Sequence, residues 1–392
     1  MANNNDKKVL NVPALRFPEF SGEWKHVHLK EIAEFQKQRI STALLNNNNY
    51  ISTENILQDF EGIQCSSSMP ANVNVIKYQN EDILLSNIRP YLKKVWFADR
   101  KGGCSADVLV LRGNKCDKYF LYYVIASDRF INYVMSGIKG VKMPRGDKNQ
   151  MEEYAFSIPT NMEQKRIAKF ISILDERIRL QNKIIEKYES LIQAISQKVL
   201  RPSEYWNEYR LCELADIRSG YSGNQVSHKT AYAVSRIETI SKHRIDMLRV
   251  GYVQDIPSEY KLNVGDILFS NINSIQYIGN TAFVDKEYNL YHGMNLLRII
   301  PKPSLVIPRF LHLILCTSMA IKHFQSICNK AVSQASINQT SLGKIMLHIP
   351  PLTCQEQICN VFESVEQRLN LEVYYLKRIQ LQKNYLLRQM FI

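Results

Sequence analysis

Polar and basic residues beside aromatic side chains recur at three places in each half of this sequence, and these residue types are suited to binding nucleic acid. Arg, Lys, Asn and Gln hydrogen-bond base edges in the major groove, whereas Lys, Ser and Tyr contact phosphates. In the first half the three groups are Lys37 and Arg39; Arg89, Tyr91, Lys93 and Lys94; and Lys142, Arg145 and Lys148. In the second half they are Tyr221, Asn224 and Gln225; Asn273, Gln276 and Tyr277; and Gln334, Asn338 and Gln339. We predict that these groups, the first, second and third recognition loops of each half, contact DNA; the alternative is ordinary solvated surface.

The motifs of common enzyme classes are missing from the sequence. It lacks the phosphate loop G-x-x-x-x-G-K-[ST], the dinucleotide loop G-x-G-x-x-G, the zinc motif H-E-x-x-H and the Asn/Asp-Pro-Pro-Tyr/Phe run of amino-methyltransferases. The eight cysteines form no C-x-x-C pair and the eight histidines no metal-ligand spacing, so no metal site is predicted. Asp246, Glu259 and Lys261 mimic the acidic pair and lysine of many metal-dependent nucleases, without an equivalent in the first half. We predict no catalytic residue and keep a metal-dependent nuclease as the alternative.

The charge balance favours a polyanionic partner. The 392 residues carry a formal net charge of +13, divided into +7 for residues 1–200 and +6 for residues 201–392. Such an excess is typical of proteins that bind nucleic acid or an anionic membrane surface. No apolar run approaches the ~20 residues of a membrane span, and the polar start has no apolar signal core. Unpaired cysteines are typical of a reducing compartment, so we expect a cytoplasmic protein that binds no membrane.

The sequence is an internal repeat. The run Asp82–Ile88 matches Asp266–Ile272 in six of seven residues at a shift of 184. The other matched segments lie in the same order, with a shift that grows from 182 to 191: Trp24–Phe35 with Trp206–Ile217, Phe97–Asp99 with Phe283–Asp285, Phe120–Leu121 with Phe310–Leu311, and Ile158–Pro159 with Ile349–Pro350. An ordered, slowly growing shift indicates two divergent copies of one unit.

Each copy ends in a predicted long helix with a heptad seam. Residues 162–200 contain no Pro or Gly. Pro159 and Pro350–Pro351 lie just before the two helices, where they can terminate the preceding secondary-structure element. The seam positions are Ile167, Ile171, Leu174, Ile178, Ile185 and Tyr188 in the first helix, and Ile358, Phe362, Val365, Leu369 and Leu376 in the second. Polar residues interrupt the two seams at Gln181 and Glu372, and Lys383 interrupts the second seam again. We predict that the two helices pack on each other; the alternative is a coiled coil with another molecule.

The remainder of each copy reads as mixed α/β. Short apolar strands such as Val108–Leu111 and Asp266–Phe269 alternate with loops rich in Asn, Ser and Gly. A single helix is predicted at about 118–135 and another at about 308–327. His26 and His28 alternate with apolar residues and are predicted to lie on the solvent-exposed face of a strand.

These motifs resemble the specificity subunits of type I restriction-modification systems. Both copies open with W-x4-L-x-E-[IL]-A and close with Ile-Pro followed by a long helix. The segment Val12–Trp24 and the Pro-x3-Glu-Gln pattern that begins at Pro159 are also similar to members of that family. In the second copy Cys354 stands where Glu is usual, and Glu366 replaces the equivalent of Asp175. The resemblance covers essentially the whole chain.

The resemblance implies an α/β mixed (α+β) fold with two target recognition domains and two antiparallel spacer helices. The implied boundaries are a disordered lead-in over 1–11, recognition domain 1 over 12–158, spacer helix 1 over 159–200, recognition domain 2 over 201–348 and spacer helix 2 over 349–392. Each recognition domain would read one half of a bipartite, asymmetric double-stranded DNA target.

The resemblance further implies that catalysis belongs to partner subunits. Two modification (methyltransferase) subunits would bind the helical region and the recognition domains, and restriction subunits with translocase and nuclease activity would join them. We therefore expect no cofactor in this chain, with S-adenosylmethionine, ATP and Mg used by the partners. A structural coiled-coil adaptor that makes no DNA contact is a further alternative.

Overall fold

The computed structural model describes residues 11–66, 68–138, 144–330 and 334–392. The chain divides into a first unit, residues 1–182 and 374–392, and a second unit, residues 183–373. The two long helices therefore contribute residues to both units. The predicted lead-in lies outside the described residues except for Asn11, whose side chain hydrogen-bonds the Trp24 carbonyl at 2.7 Å.

The elements that the two copies share follow the same order, and within the described residues the second copy has additional short strands. The first copy contains β1 (Lys25–His28), α1 (Leu29–Ile32), β2 (Ala33–Phe35), β3 (Arg39–Ser41), β4 (Tyr50–Ile51), β5 (Asn74–Tyr78), β6 (Ile83–Ser86), β7 (Val95–Phe97), β8 (Gly102–Cys104), β9 (Val108–Gly113), α2 (Lys118–Ile125), α3 (Asp128–Ser136), α4 (Lys148–Glu152), β10 (Ala155–Ile158) and α5 (Asn161–Val199). The second contains β11 (Asn207–Arg210), α6 (Leu211–Leu214), β12 (Ala215–Ser219), β13 (Gln225–Val226), β14 (Tyr232–Val234), β15 (Ile240–Ser241), β16 (Arg244–Ile245), β17 (Gly251–Val253), β18 (Ile267–Phe269), β19 (Ile272–Asn273), β20 (Thr281–Phe283), β21 (Leu290–Tyr291), β22 (Leu297–Pro301), α7 (Pro308–Leu315), α8 (Ser318–Ile327), β23 (Asn329–Lys330), β24 (Ala335–Ser336), α9 (Gln339–Gly343), β25 (Met346–Ile349) and α10 (Leu352–Met390).

Two four-stranded sheets form the frame of each copy. The first copy has the orders β2-β9-β6-β7 and β3-β5-β8-β4, and the second has β12-β22-β18-β20 and β13-β17-β14-β21. The pairings are antiparallel except for β4 with β8 and β14 with β21. A two-stranded sheet, β1-β10 or β11-β25, joins the start of each copy to its end. His26 and His28 lie on the exposed face of β1, as predicted.

The repeated Asp-Ile-Leu motif is a buried strand that begins with a buried carboxylate. All four residues of β6 and all three of β18 are buried, which explains their continuous apolar run. Asp82 accepts a hydrogen bond from the Gln79 N–H at 2.7 Å and pairs with Arg112 at 2.7 Å. Asp266 accepts from the Asn263 N–H at 2.6 Å and pairs with Arg298 at 2.6 Å, in the same arrangement.

Within each unit, segments of the two long helices pack antiparallel. In the first unit, Ile167 and Ile171 of α5 share a core with Ile379 and Leu386 of α10. In the second unit, the later α5 residues Ile192 and Ile195 pack with Ile358 and Phe362 near the start of α10. The predicted seam is therefore filled by the same chain. Of the other seam positions, Leu174 is buried, and Ile178, Ile185, Tyr188, Val365, Leu369 and Leu376 are half-buried.

The start of each long helix is fixed by a buried glutamine. Gln164 donates to the Pro159 carbonyl at 2.9 Å and accepts from the Asp117 N–H at 2.8 Å. Gln355 does the same with the Pro350 carbonyl and the Ile307 N–H, both at 2.8 Å. The glutamine is kept in both copies because one amide satisfies two backbone groups there.

The residue just before this glutamine differs between the two copies because it makes a different contact in each. Glu163 is fully buried and accepts two hydrogen bonds from Arg16, each 2.7 Å long, which holds the segment before β1 against α5. Cys354 takes the equivalent position in α10 and packs against the apolar core of the second unit. The unusual cysteine is thus a partly buried residue at the edge of the core.

The predicted single helices at 118–135 and 308–327 are wrong, because each is two helices. α2 ends at Ile125 and α3 begins at Asp128, where Ser127 accepts a hydrogen bond from the Phe130 N–H at 3.2 Å. Thr317 caps α8 in the same way. A side chain that caps a new helix permits the break without Pro or Gly.

Candidate nucleic-acid interface

The second and third recognition loops of the first unit are joined by backbone hydrogen bonds. The Arg89 N–H donates to the Pro144 carbonyl at 2.8 Å, and the Gly146 N–H donates to the Asn87 carbonyl at 3.1 Å. Ile88 and Arg145 form an antiparallel bridge between the same segments. Two loops that lie about 55 residues apart in sequence therefore form one surface.

The first recognition loop adjoins this surface. The Lys148 ammonium lies 5.0 Å from the ring centre of Phe35, the last residue of β2. Lys37 and Arg39 follow Phe35 directly, and Arg39 begins β3. The three loops predicted from sequence in the first unit thus lie side by side.

The second unit joins its three loops through equivalent positions. Asn273 of β19 pairs with Ala335 of β24, and the Ile337 N–H donates to the Asn271 carbonyl at 2.9 Å. The Gln339 side chain donates to the Ile217 carbonyl of β12 at 2.6 Å. Ile217 is the counterpart of Phe35, and Gln339 that of Lys148, at the repeat shifts of 182 and 191. Both copies therefore bring the same three loops together.

Twelve of the seventeen predicted side chains that the structure describes are exposed on these loops. Tyr91 is 48% exposed and Tyr277 51% exposed. The other exposed side chains without an ion pair among the described residues are Lys37, Arg39, Arg89, Asn224, Gln225, Gln276, Gln334, Asn338 and Gln339. Arg145 is exposed as well, but it is ion-paired. Lys142 lies outside the described residues.

Several predicted basic residues are instead held within the first unit. The Lys93 ammonium lies 2.9 Å from Asp128, and its hydrogen bond holds the pKa of Asp128 below the ordinary value. Lys94 donates to the Thr53 carbonyl at 2.7 Å, and Arg145 forms an ion pair of 3.0 Å with the Asp107 carboxylate. These contacts hold the loops in place. Because the charges of Lys93 and Arg145 are partly neutralised by their ion pairs, these residues attract an anionic ligand less strongly than an unpaired cation would.

In the second unit, three of the predicted amide side chains likewise hydrogen-bond groups of the unit itself. Asn273 donates to the Ser270 hydroxyl at 3.1 Å, and Asn338 caps α9 by accepting from the Ser341 N–H at 2.7 Å. Gln339 is committed to the Ile217 carbonyl. Tyr221 packs edge-on against Tyr260 at 5.3 Å, an aromatic partner that the sequence pattern did not indicate because Tyr260 is 39 residues away.

The second loop of the first unit is conformationally strained. Arg89 and Lys93 have φ values of 49° and 53°, and they flank the short helical turn Pro90–Leu92. A non-glycine residue in this region costs about 1–3 kcal/mol and persists only where neighbours hold it. The bond from Arg89 to Pro144 supplies one such restraint, and it leaves the exposed Arg89 side chain fixed at its base.

The nuclease alternative receives no support from the contacts of its residues. Asp246 caps a short helical turn through the Leu248 N–H at 3.0 Å and lies 3.4 Å from Arg249. The Glu259 backbone carbonyl accepts from Arg298 at 3.1 Å. The Asp246 carboxylate is therefore committed to local structural contacts.

One group of potential metal ligands occurs in the described part of the chain, although the sequence pattern predicts none. His243, His312 and Cys316 place one ligand atom each within 4.8 Å of one another. The four-residue spacing of His312 and Cys316 is visible in the sequence, whereas His243 is brought in by tertiary structure. Among the described residues, no helix is both long and apolar enough to span a membrane.

Comparison with known proteins gives a consistent family. A model for the "Type I restriction modification DNA specificity domain" matches twice, over residues 21–190 and 203–380. The putative type I restriction enzyme MjaX specificity subunit of Methanocaldococcus jannaschii is 38% identical over 184 residues, which is 45% of this chain and 43% of the relative. The match thus spans less than half of that relative. The type I restriction enzyme MjaVIII specificity subunit of the same organism is 24% identical over 91% of this chain and 89% of its own length.

Solved structures share the fold along nearly the whole chain. A crystal structure of the type I restriction-modification system S subunit from M. genitalium has a TM-score of 0.61 and 15% identity, covering 97% of this chain and 99% of that one. A structure described by complex assembly and conformational transition of the type I R-M system has a TM-score of 0.58 and 18% identity, covering 93% and 96%. The predicted α+β fold with a repeated unit is confirmed.

Proposed function

Because the chain belongs to the type I restriction-modification DNA specificity family, we propose that it reads a bipartite, asymmetric DNA target, one half-site for each unit. The observation that carries this proposal is the repeated meeting of three loops whose side chains differ. The first unit offers Arg39 and Arg89, whereas the second offers neutral groups such as Asn224 and Gln276. Guanidinium groups read guanine and amides read adenine by bidentate bonds in the major groove, so the two units would prefer different bases.

We also propose that the chain is a non-catalytic scaffold. Modification subunits would bind the long helices and recognition units, and restriction subunits would join this assembly. S-adenosylmethionine, ATP and Mg would serve those partners, with no cofactor in this chain. The exposed apolar residues on the long helices, including Leu180, Tyr374 and Leu381, are consistent with partner binding.

The modular part of the proposal is tested by exchange of residues 12–158 with those of a related subunit of different specificity. Each exchanged chain is expressed with its modification partner, and the methylated adenines of host DNA are mapped. We expect one half-site to change and the other to remain. A change in both half-sites would contradict one-unit, one-half-site reading, and DNA cleavage by the purified chain with Mg²⁺ alone would favour the nuclease alternative.

The loop assignment is tested by the salt dependence of DNA binding. In the complex with modification subunits, Arg39→Ala with Arg89→Ala removes two exposed cations, and Lys93→Ala with Arg145→Ala removes two cations that are already ion-paired. Each lost phosphate contact lowers the slope of log K against log salt by about 0.9. We expect a larger change in slope, up to about 1.8, or a loss of base preference in the first pair than in the matched pair. Equal effects of the two pairs would contradict the assignment.

A further inference from the structure

We infer that the second unit contains a binding site for a divalent transition metal of the zinc class, formed by His243, His312 and Cys316. The Cys316 Sγ atom lies 3.4 Å from His243 Nδ1 and 3.4 Å from His312 Nε2. In a tetrahedral zinc site, Zn–N bonds of about 2.0–2.1 Å and a Zn–S bond of about 2.3 Å place N and S about 3.5 Å apart. The two nitrogen-to-sulfur distances therefore already match those around a bound metal.

Two structural elements bring the three ligands together. His312 lies in α7, and Cys316 follows one helical turn later, so both side chains lie on one face of the helix. His243 lies in the tight turn between β15 and β16, where Lys242 and His243 have φ values of 47° and 60°. Such turns favour Gly or Asn, so a histidine here adopts an unfavourable backbone conformation while its ring contacts the helix.

The chemistry of the donor set selects the metal class. Imidazole nitrogen and thiolate sulfur bind Zn²⁺ and neighbouring transition metals, whereas Mg²⁺ and Ca²⁺ require oxygen ligands. Three protein ligands leave a fourth position for water in a tetrahedral site. The Thr281 hydroxyl lies 3.2 Å from Cys316 Sγ and so borders the site.

The site belongs to the second copy alone. At the shift of 190 that relates α7 to α2, the counterparts of His312 and Cys316 are Tyr122 and Ala126, which cannot supply the same ligands. The metal site is therefore a local addition to the repeated fold and goes beyond the proposed DNA recognition.

Metal binding requires one hydrogen bond to be exchanged. Arg309 lies 2.9 Å from His312 Nδ1, and since arginine only donates, Nδ1 accepts and Nε2 carries the proton in the metal-free chain. With metal on Nε2, the proton moves to Nδ1 and the Arg309 contact is lost, while the Cys316 thiol releases its proton to solvent. Arg309 keeps two hydrogen bonds of 2.6 Å to Glu366, so its charge remains paired.

The bound metal would fasten the β15–β16 hairpin to the core helix. The turn that carries His243 is otherwise exposed, with Arg244 reaching Asn370 of α10 at 3.0 Å. A metal bonded to His243 in the turn and to His312 and Cys316 of the helix would suppress local opening of the hairpin, because the metal binds the folded arrangement and not the open one.

The test uses the full chain, treated with a chelator and then titrated with Co²⁺ as a spectroscopic substitute for Zn²⁺. We expect one equivalent to bind with the visible bands of a tetrahedral ion and a near-ultraviolet thiolate-to-cobalt band. Zn²⁺ should displace the Co²⁺ and raise the melting temperature. Cys316→Ser should remove the thiolate band, and His243→Gln should weaken Zn²⁺ binding by more than about 100-fold, since even an outer-shell loss costs 10–100-fold.

Matched controls keep the test decisive if a core variant misfolds. His243 lies on an exposed turn, so His243→Gln should fold normally by circular dichroism. Cys212→Ser and His348→Gln change an exposed cysteine and a partly exposed histidine of the second unit and should leave binding unchanged. Substoichiometric metal in the parent chain, or a thiolate band that survives Cys316→Ser, would overturn the inference, whatever the outcome of the DNA-binding experiments.

Discussion

Replacement of Asp266 by Asn tests whether the repeated Asp-Ile-Leu motif is maintained by a buried ion pair. The Asp266 and Arg298 side chains are each 4% exposed, and their charged groups lie 2.6 Å apart. Asn has nearly the same shape and can still accept from the Asn263 N–H, so packing and the turn before β18 are preserved. The substitution therefore isolates the charge: it leaves the Arg298 guanidinium buried without its counterion.

The expected cost follows from that burial. Removing one partner of a buried pair destabilises a protein by about 3–5 kcal/mol. Asp82→Asn is the matched control in the first unit, because Arg112 remains 27% exposed and can be hydrated when its counterion is lost. We expect the control to cost about 1–3 kcal/mol, the range for an unsatisfied but accessible polar group.

The double variant Asp266→Asn with Arg298→Met separates the charge effect from a general loss of structure. Burial raises the pKa of Asp266 even though Arg298 opposes that rise, so the pair carries a desolvation cost of its own. Removing both charges should therefore recover most of the stability lost in the single variant, as seen when buried pairs are replaced by apolar residues.

The assay is urea unfolding of the full chain, with hydrogen exchange followed in peptides from β6 and β18 so that each unit is measured by itself. Asp266→Asn should accelerate exchange in β18, and Asp82→Asn should accelerate it in β6 by a smaller factor. Equal costs for the two single variants would refute the argument from burial. A double variant as unstable as the sum of its two single changes would refute the coupling.

Three further predictions rest on individual side chains. Burial lowers the pKa of His292 from 6.5 to about 4, so below pH 6.5 the unfolded chain binds a proton that the folded chain does not. Stability should fall by about 3 kcal/mol as the pH drops from 6.5 to 4, and His292→Gln should flatten that part of the pH profile of unfolding. Lys383→Met should destabilise the first unit by about 1 kcal/mol in thermal unfolding, because Asp175 loses a partner at 2.5 Å. In the native chain a thiol reagent should label the exposed Cys65 rapidly and spare the buried Cys104, whose pKa burial raises to about 12; mass spectrometry of labelled peptides measures both.

The repeat made most of the fold predictable. Identical residues at ordered shifts indicate two copies, and the absence of Pro and Gly over 162–200 predicts the long helix that the structure places at Asn161–Val199. The breaks at Ser127 and Thr317 were not predicted, because the flanking segments are apolar and continuous. Ser127 and Thr317 are identified as helix caps only from the structure, where a second helix begins after each of them.

The candidate interface was predictable as a set of loops but not residue by residue. The positions of the loops follow from the repeat, so their meeting in both units agrees with the sequence pattern. Whether the charge of a basic residue is free or ion-paired depends on carboxylates that are distant in sequence. Lys93 is paired with Asp128 and Arg145 with Asp107, and neither pairing is visible in local composition.

The replacement of Asp175 by Glu366 in the second copy accompanies a change of counterion. In the first unit Asp175 accepts from the Tyr123 hydroxyl at 2.7 Å and pairs with Lys383 of α10. That pairing accounts for the interruption of the second heptad seam at Lys383. In the second unit the equivalent acid, Glu366, pairs with Arg309 of α7 at 2.6 Å.

The counterpart of Lys383 in α5 is Ile192, which is apolar and packs in the core of the second unit. The cation is therefore supplied by the long-helix partner in one unit and by a helix of the recognition domain in the other. The longer glutamate accompanies this second arrangement, in which the acid receives its cation from α7. Because Arg309 also contacts His312, the same exchange places a charge-paired arginine beside the inferred metal ligands. At the shift of 190 the first unit has Tyr119 in place of Arg309 and Tyr122 in place of His312.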